Sequence, residues 1–249
     1  MSQTLDPVSP ILHRLLQRLA QAGVLRDFYL AGGTGLALLL QHRRSVDPST
    51  RITAFGRGLA RDSAPQAHQK EPQVLPVGLH LDFFSRTNHL GARERRFLLG
   101  AVRRLGRWTL REANEGTVQG RIGRVRVSFF WYPERLIKPS IRQGPVRIAS
   151  LEDIGLMKIG AIIGRGSRKD FVDLYTIAQQ RPLSALLALA PKKFTDARDF
   201  TLQAFKALTF FEDAERDPPV ITAKPMAWNH VKNFFSSEVR TLARRYLAP

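Results

Sequence analysis

The chain has 249 residues, 43% of them hydrophobic and 24% charged, an apolar content too high for a disordered chain and sufficient for one substantial core or two modest ones. It has no cysteine, which excludes a disulfide scaffold, cysteine-ligated zinc, an iron–sulfur cluster and a thiol nucleophile, so any catalysis must use oxygen, nitrogen or metal chemistry. Lys and Arg outnumber Asp and Glu by 39 to 21, a net charge of +18 that suggests a polyanionic partner, and with no signal-like opening and no apolar run of roughly 20 residues the expectation is a cytoplasmic protein with no membrane partner.

In chain order, Ser9 and Pro10 suit the N-cap and first turn of a helix whose apolar residues Ile11, Leu12, Leu15, Leu16 and Leu19 recur at helical spacing until Gly23. DFYLAGG reads as a short strand running into a glycine pair, and TGLALLLQHRR as a helix that is apolar nearly all round. Such a pair lets the backbone take positive φ and leaves free N–H groups at a helix N-terminus, where an anion is favoured. From residue 48 to about residue 80, Pro, Ser, Gly and Gln replace any periodicity and predict an exposed, mobile inserted loop. VGLHLDFFS is strand-like, GARERRFLLGAVRRLG is helical, and Trp108 to Tyr132 reads as a β-meander with turns near Gly116 and Gly123. An extended segment follows Pro133. SLEDIGLMKIGAIIG, with Ser150 and Asp153 in a capping-box arrangement, and RKDFVDLYTIAQQ then open a series of helices broken by Pro182, Pro191 and Pro218–Pro219. The division expected is a mixed α/β half over residues 1–147 and a helical half over residues 148–249.

Four features carry chemistry. Gly32-Gly33-Thr34 after an apolar strand is either a phosphate-cradling turn or an ordinary strand-to-helix turn; without a following Gly-Lys-Ser/Thr it is not a Walker A loop. Asp47 and Asp82 form the second. Nucleotidyl transfer needs Mg²⁺ held by carboxylates that share a strand face, which Asp residues at i and i+2 provide because side chains alternate. Here 35 positions separate the two, yet removing residues 48–80 joins the flanks as RRSVDLDFFSR, an Asp-Leu-Asp strand. Lys158, bordering an apolar helical stripe, either snorkels to solvent or meets a buried anion. Asp170 and Asp173 lie three apart on one helix face, with Lys169 and Asp173 at i, i+4, an arrangement that usually marks a solvated surface.

Taken together, YLAGGTGLALLLQHRRSVD, LDFFS and KIGAIIGRGSRKDFVDLY resemble the AbiEii/AbiGii abortive-infection toxin family over roughly residues 25 to 180. The resemblance implies a minimal nucleotidyltransferase fold, a mixed sheet with flanking helices, and a toxin that uses NTP and Mg²⁺, is paired with an antitoxin protein, and acts on an acceptor hydroxyl on RNA such as tRNA. It makes Gly32, Gly33, Thr34 and Ser45 nucleotide-binding, Asp47 and Asp82 metal-binding and catalytic, and Lys158 a phosphate contact; Arg165, Lys169, Asp170 and Asp173 would complete the site. The 33-residue segment between the two Asp departs from the family. Either it loops out and leaves both at one metal, or His80 takes the i−2 position and replaces Asp47, or the site is broken and the chain is a catalytically impaired module that binds RNA or antitoxin. A third carboxylate is missing too, since no Asp or Glu lies between Glu115 and Glu134 and Ser128 holds the middle of that strand.

Most of the positive excess is local. Residues 86–147 hold 15 Lys and Arg against 4 Glu, a net of +11. Arg93, Arg96, Arg103, Arg104 and Arg107 could track a phosphate backbone, and Trp108 and Trp131 could stack bases, although aromatics at strand spacing are more often core.

Overall fold

The computed structural model describes residues 10–40, 80–87 and 89–247. Helix α1 (Pro10–Gln21) buries Leu12, Leu15, Leu16 and Leu19 of the stripe that the spacing predicts, whereas Ile11 is exposed. The two-residue strand β1 (Tyr29–Leu30) runs through Ala31 into α2 (Gly32–Leu40), and β2 (His80–Ser85) and α3 (Ala92–Arg104) follow. The meander is β3 (Trp108–Asn114), β4 (Thr117–Ile122) and β5 (Val125–Trp131), turning at Gly116 and Gly123, both at positive φ. A hairpin of two three-residue strands, β6 (Ile141–Gln143) and β7 (Val146–Ile148), occupies part of the segment expected to be merely extended; Gly144, at φ 56°, makes its turn. Helices α4 (Leu151–Arg165), α5 (Arg168–Ala178), α6 (Leu183–Lys193), α7 (Phe200–Leu208), α8 (Glu212–Arg216) and α9 (Trp228–Leu247) complete the described chain. Pro191 does not break a helix: it sits inside the last turn of α6, two residues before the end, where only one backbone bond is forfeited.

The strands form one mixed seven-stranded sheet in the order β3-β4-β5-β2-β1-β7-β6, parallel at β2–β5 and β1–β7 and antiparallel elsewhere. The expected mixed α/β architecture, with flanking helices and then a run of helices, is therefore present. Register sorts the two faces. One row runs Val118–Phe129–Phe83–Leu30, wholly buried, and the rows beside it on the opposite face run Gln119–Ser128–Asp82 and Arg121–Arg126–His80. Phe28 meets Phe129 edge-on at 5.2 Å and lines a surface cavity with Arg93, Phe97 and Leu98, so α3 covers the face turned away from Asp82. Trp108 also belongs to that packed side. Its ring lies over Gly120 so closely that a Cβ there would come within 2.4 Å of it, which assigns this tryptophan to packing rather than to base stacking.

Helix α4 joins the sheet to the later helices, and its first turn is pinned by polar contacts. Ser150 caps it by accepting from the Asp153 N–H at 3.0 Å, while its own hydroxyl donates to Asp153 Oδ2 at 2.9 Å. The fully buried Asp153 carboxylate accepts also from the backbone N–H groups of Ile137 and Lys138 and from Lys193 Nζ, at 3.0, 3.1 and 2.9 Å. Lys193 in turn donates to the Arg135 carbonyl at 2.9 Å, so one ion pair ties α4, α6 and the connection after β5 together. Among the described residues no helix is long and apolar enough to cross a membrane.

A buried charge that loses its partner is far more costly than a lost cap. Asp153→Ala is expected to destabilise the chain by ~3–5 kcal/mol in urea denaturation, against ~1 kcal/mol for Ser150→Ala; equal losses would mean that the ion pair anchors nothing.

Candidate active site

The site is built where β1 gives way to α2. Gly32 takes φ 64°, a left-handed value suited to glycine, and a Cβ at this position would lie 3.3 Å from Asp82 Oδ2. The absence of a side chain thus lets the Asp82 carboxylate approach the first turn of α2. Two further bonds hold β2 against this turn: the Ala31 N–H donates to the Asp82 carbonyl at 3.2 Å, and the Thr34 hydroxyl donates to the His80 carbonyl.

On the face of β2, His80 and Asp82 stand side by side as alternation requires, with His80 Nε2 3.0 Å from Asp82 Oδ1. Ser128, the register partner of Asp82 on β5, places its Oγ 3.2 Å from the same nitrogen. Burial alone would raise the Asp82 carboxyl, but the His80 imidazole beside it, hydrogen bonds from His80 and Ser128, and the Lys158 ammonium outweigh that and hold it below the usual carboxylate range. Its side chain keeps 23% of its surface open, so an ionised carboxylate reaches solvent.

Across from it stands a buried ionic knot. Lys158 lies 2.7 Å from Asp170 Oδ1 and 2.6 Å from Asp173 Oδ2, both carboxylates being fully buried. Asp170 also receives Arg165 Nε at 2.9 Å and the Ser167 hydroxyl at 2.7 Å on its other oxygen. Burial would raise the Asp170 carboxyl; the Lys158 and Arg165 charges and their hydrogen bonds override it and drive the group far below the ordinary range. Arg165 is desolvated in part, but Asp170, then Asp82 and Asp173, keep it firmly charged, and 60% of its side chain remains exposed. The sequence arranges this locally: Gly166, at φ 55°, ends α4 in a left-handed turn, and Ser167 starts α5 three residues before Asp170.

Of the residues singled out from the sequence, the structure brings Gly32, Thr34, Asp82, Lys158, Arg165, Asp170 and Asp173 into one neighbourhood on α2, β2, α4 and α5. Gly33 belongs to the same first turn of α2, and Lys169 is half-buried in the first turn of α5. Lys158 does not snorkel; the anions it meets are the chain's own. Asp170 and Asp173 are buried rather than solvated. Ser45, Asp47 and the inserted segment, apart from His80, lie outside the described residues. Arg93, Arg96, Arg103 and Arg104 lie on α3 and so belong to the side of the sheet turned away from Asp82, and Arg107 is exposed in the connection to β3. Trp131 is 39% exposed, its indole N–H donating to the Arg86 carbonyl at 3.2 Å. The sequence reading missed Ser167, although Ser167-x-x-Asp170 repeats the spacing of Ser150-x-x-Asp153. Among the described residues no group of three His, Asp or Glu is placed to hold a metal ion; the donors at Asp82 are one carboxylate, one imidazole and one hydroxyl. One carboxylate beside phosphate oxygens is a fitting set for a nucleotide-bound cation.

No family model matches the chain. It is 28% identical over 229 residues to the uncharacterised protein aq_aa25 of Aquifex aeolicus, covering 90% of this chain and 92% of that protein. Among solved structures it is similar to JHP933 from Helicobacter pylori, at 15% identity and a TM-score of 0.45 over 96% of this chain and 94% of the other. It is also similar to MenT4, a nucleotidyltransferase toxin of Mycobacterium tuberculosis, at 12% identity and a TM-score of 0.45 over 90% and 83% of the two chains.

The knot has a pH signature. A carboxyl whose folded value is depressed stabilises the fold fully above its unfolded value, about 3.9 for Asp, and that contribution is lost as pH falls toward the folded value. Stability measured from pH 7 down to pH 2.5 should therefore drop steeply in its acid limb. In Asp170→Asn it should start lower at neutral pH and fall with a shallower slope; an unchanged slope would rule out Asp170 as a source of the acid sensitivity.

Proposed function

We propose that this chain is a nucleotidyltransferase that moves a nucleotidyl group from an NTP to an acceptor hydroxyl on RNA, such as tRNA, and that it is the toxin of a toxin–antitoxin system restrained by a cognate antitoxin protein. The toxin assignment rests on the resemblance to the AbiEii/AbiGii family. The observation that carries the reaction is the ionised carboxylate of Asp82 set against the glycine turn of α2, with Lys158 and Arg165 across from it.

Each group has a role in this reading. The turn at Gly32, Gly33 and Thr34 offers backbone N–H groups and a helix N-terminus to phosphate oxygens. Arg165, held by Asp170 yet largely exposed, turns its guanidinium toward the same anion, with Lys169 and Ser45 as further nucleotide contacts. The formal charges of Asp82, Lys158, Arg165, Asp170 and Asp173 sum to −1, so these five groups by themselves do not neutralise a triphosphate. A divalent cation, Mg²⁺ in the sequence reading, would be held by Asp82 with Asp47, and when bound it neutralises the phosphate charge and polarises the transferred phosphoryl group. Asp170 and Asp173 position Lys158 and Arg165. Residues 148–249, as the helical domain, complete the site begun by residues 1–147, and Arg93, Arg96, Arg103, Arg104 and Arg107 hold RNA at a contact remote from Asp82.

A second reading is favoured by one observation: an imidazole, His80, occupies the i−2 place beside Asp82. In that reading the fold is catalytically impaired and acts as an RNA- or antitoxin-binding module.

Incubating the protein with each labelled NTP, divalent metal and total tRNA separates the two. The transferase is expected to label RNA, with a loss of about a thousandfold or more in Asp82→Ala, an effect the size of removing a main electrostatic group from an active site. Retention of tRNA with no label from any NTP would leave only the binding module.

A further inference from the structure

His80 stands at the i−2 place beside Asp82, where it would replace Asp47, and the structure gives that position definite chemistry. We infer that His80, Asp82 and Ser128 form a three-donor cation site that selects a divalent transition-metal ion, of the Mn²⁺ and Co²⁺ type, over Mg²⁺. The inference rests on the proposed role of Asp82 as the cation-binding carboxylate.

Alternation along β2 puts the His80 and Asp82 side chains on one face, and the parallel register with β5 puts Ser128 on that face directly beside Asp82. The imidazole Nε2 is 3.0 Å from Asp82 Oδ1 and 3.2 Å from Ser128 Oγ. Adjacent donors around a six-coordinate ion with bonds near 2.1 Å are separated by about 3.0 Å, and both separations from the imidazole nitrogen are close to that spacing. The donors are also held in place. Ser128 is almost fully buried, and the His80 backbone is fixed by the Thr34 hydroxyl. The His80 and Asp82 side chains nonetheless keep 21% and 23% of their surface open, which gives a cation a route in.

Selectivity follows from donor type. Mg²⁺ prefers oxygen and gives up its water reluctantly, whereas imidazole nitrogen suits first-row transition ions. An aspartate at position 80 would bring a second negative charge to bear on a hard cation. His80 brings a neutral nitrogen, so this trio carries one negative charge and gains its affinity from the metal–nitrogen bond. To hold a cation the imidazole would present the Nε2 lone pair and keep its proton on Nδ1.

The test is isothermal titration of the full-length protein with MgCl₂, MnCl₂ and CoCl₂ separately, with loss of the free-ion Mn²⁺ electron paramagnetic resonance signal as a second readout. One equivalent of Co²⁺ or Mn²⁺ should bind at least tenfold more tightly than Mg²⁺. His80→Ala should weaken Co²⁺ and Mn²⁺ tenfold or more while changing Mg²⁺ less than threefold, and His80→Asp should move the preference toward Mg²⁺; circular dichroism checks that both variants are folded. Mg²⁺ binding as tight as Co²⁺, or Co²⁺ affinity within threefold of wild type in His80→Ala, would overturn the inference. Photocrosslinking of labelled NTP in the presence of each metal tests the underlying reading separately. NTP captured with Mg²⁺ alone, and equally by His80→Ala, overturns the metal preference and leaves the transferase reading standing. Metal bound through His80 with no NTP captured under any metal upholds the preference and removes the transferase.

Discussion

Lys158 is held between two buried carboxylates, and the arrangement of the site depends on that contact. An ammonium within hydrogen-bonding distance of both Asp170 and Asp173 fixes the crossing of α4 against α5, because neither helix can slide without leaving a desolvated charge unpaired. Well-packed apolar residues could supply as much stability. What the ion pairs add is a defined register, and with it the placing of Arg165, Gly166 and Ser167 at the junction beside Asp82. Asp153 does the same at the other end of α4, where Lys193 and two backbone N–H groups converge on it. Helix α4 is thus anchored by charge at both ends and by Ile154, Leu156, Ile159 and Ile162 between them.

Pairing of this kind limits what the site can do unaided. Lys158 and Arg165 are balanced by Asp170 and Asp173, and with Asp82 these five groups carry one net negative charge. The Asp82 carboxyl is kept ionised against its burial chiefly by the His80 imidazole beside it and by hydrogen bonds from His80 and Ser128, with the Lys158 ammonium adding to them. An ionised, partly open carboxylate thus stands at a helix N-terminus, whose partial positive charge favours the ionised form.

How much of this was legible in the sequence varies with the range of the interaction. The alternation in RVRVSFFWY, the turns at Gly116 and Gly123 and the Ser150–Asp153 cap are local signals, and each corresponds to an observed element. The glycine pair marked the turn, although only the structure shows that Gly32 leaves room for Asp82. The β6–β7 hairpin was illegible because three-residue strands carry too little alternation and take their pairing from β1. Asp170 and Asp173 read as a solvated face because helical spacing says which residues share a face and nothing of what covers it; their partner is on another helix. Ser167 could have been read from its spacing to Asp170. Asp47 and the inserted segment lie outside the described residues, so their relation to Asp82 is known only as a sequence distance.

Register also changes the meaning of the basic excess. In sequence, the arginines of α3 look nearest to the metal strand. In space, α3 covers the opposite face of the sheet, and the arginines that share the face of Asp82 are Arg126, level with His80 on β5, and Arg121, next to it on β4. These were not among the residues singled out, because their spacing within the meander looks like ordinary outward-facing alternation. The segment of net +11 is thus divided between the two faces of the sheet, with one part beside the carboxylate and the other behind it.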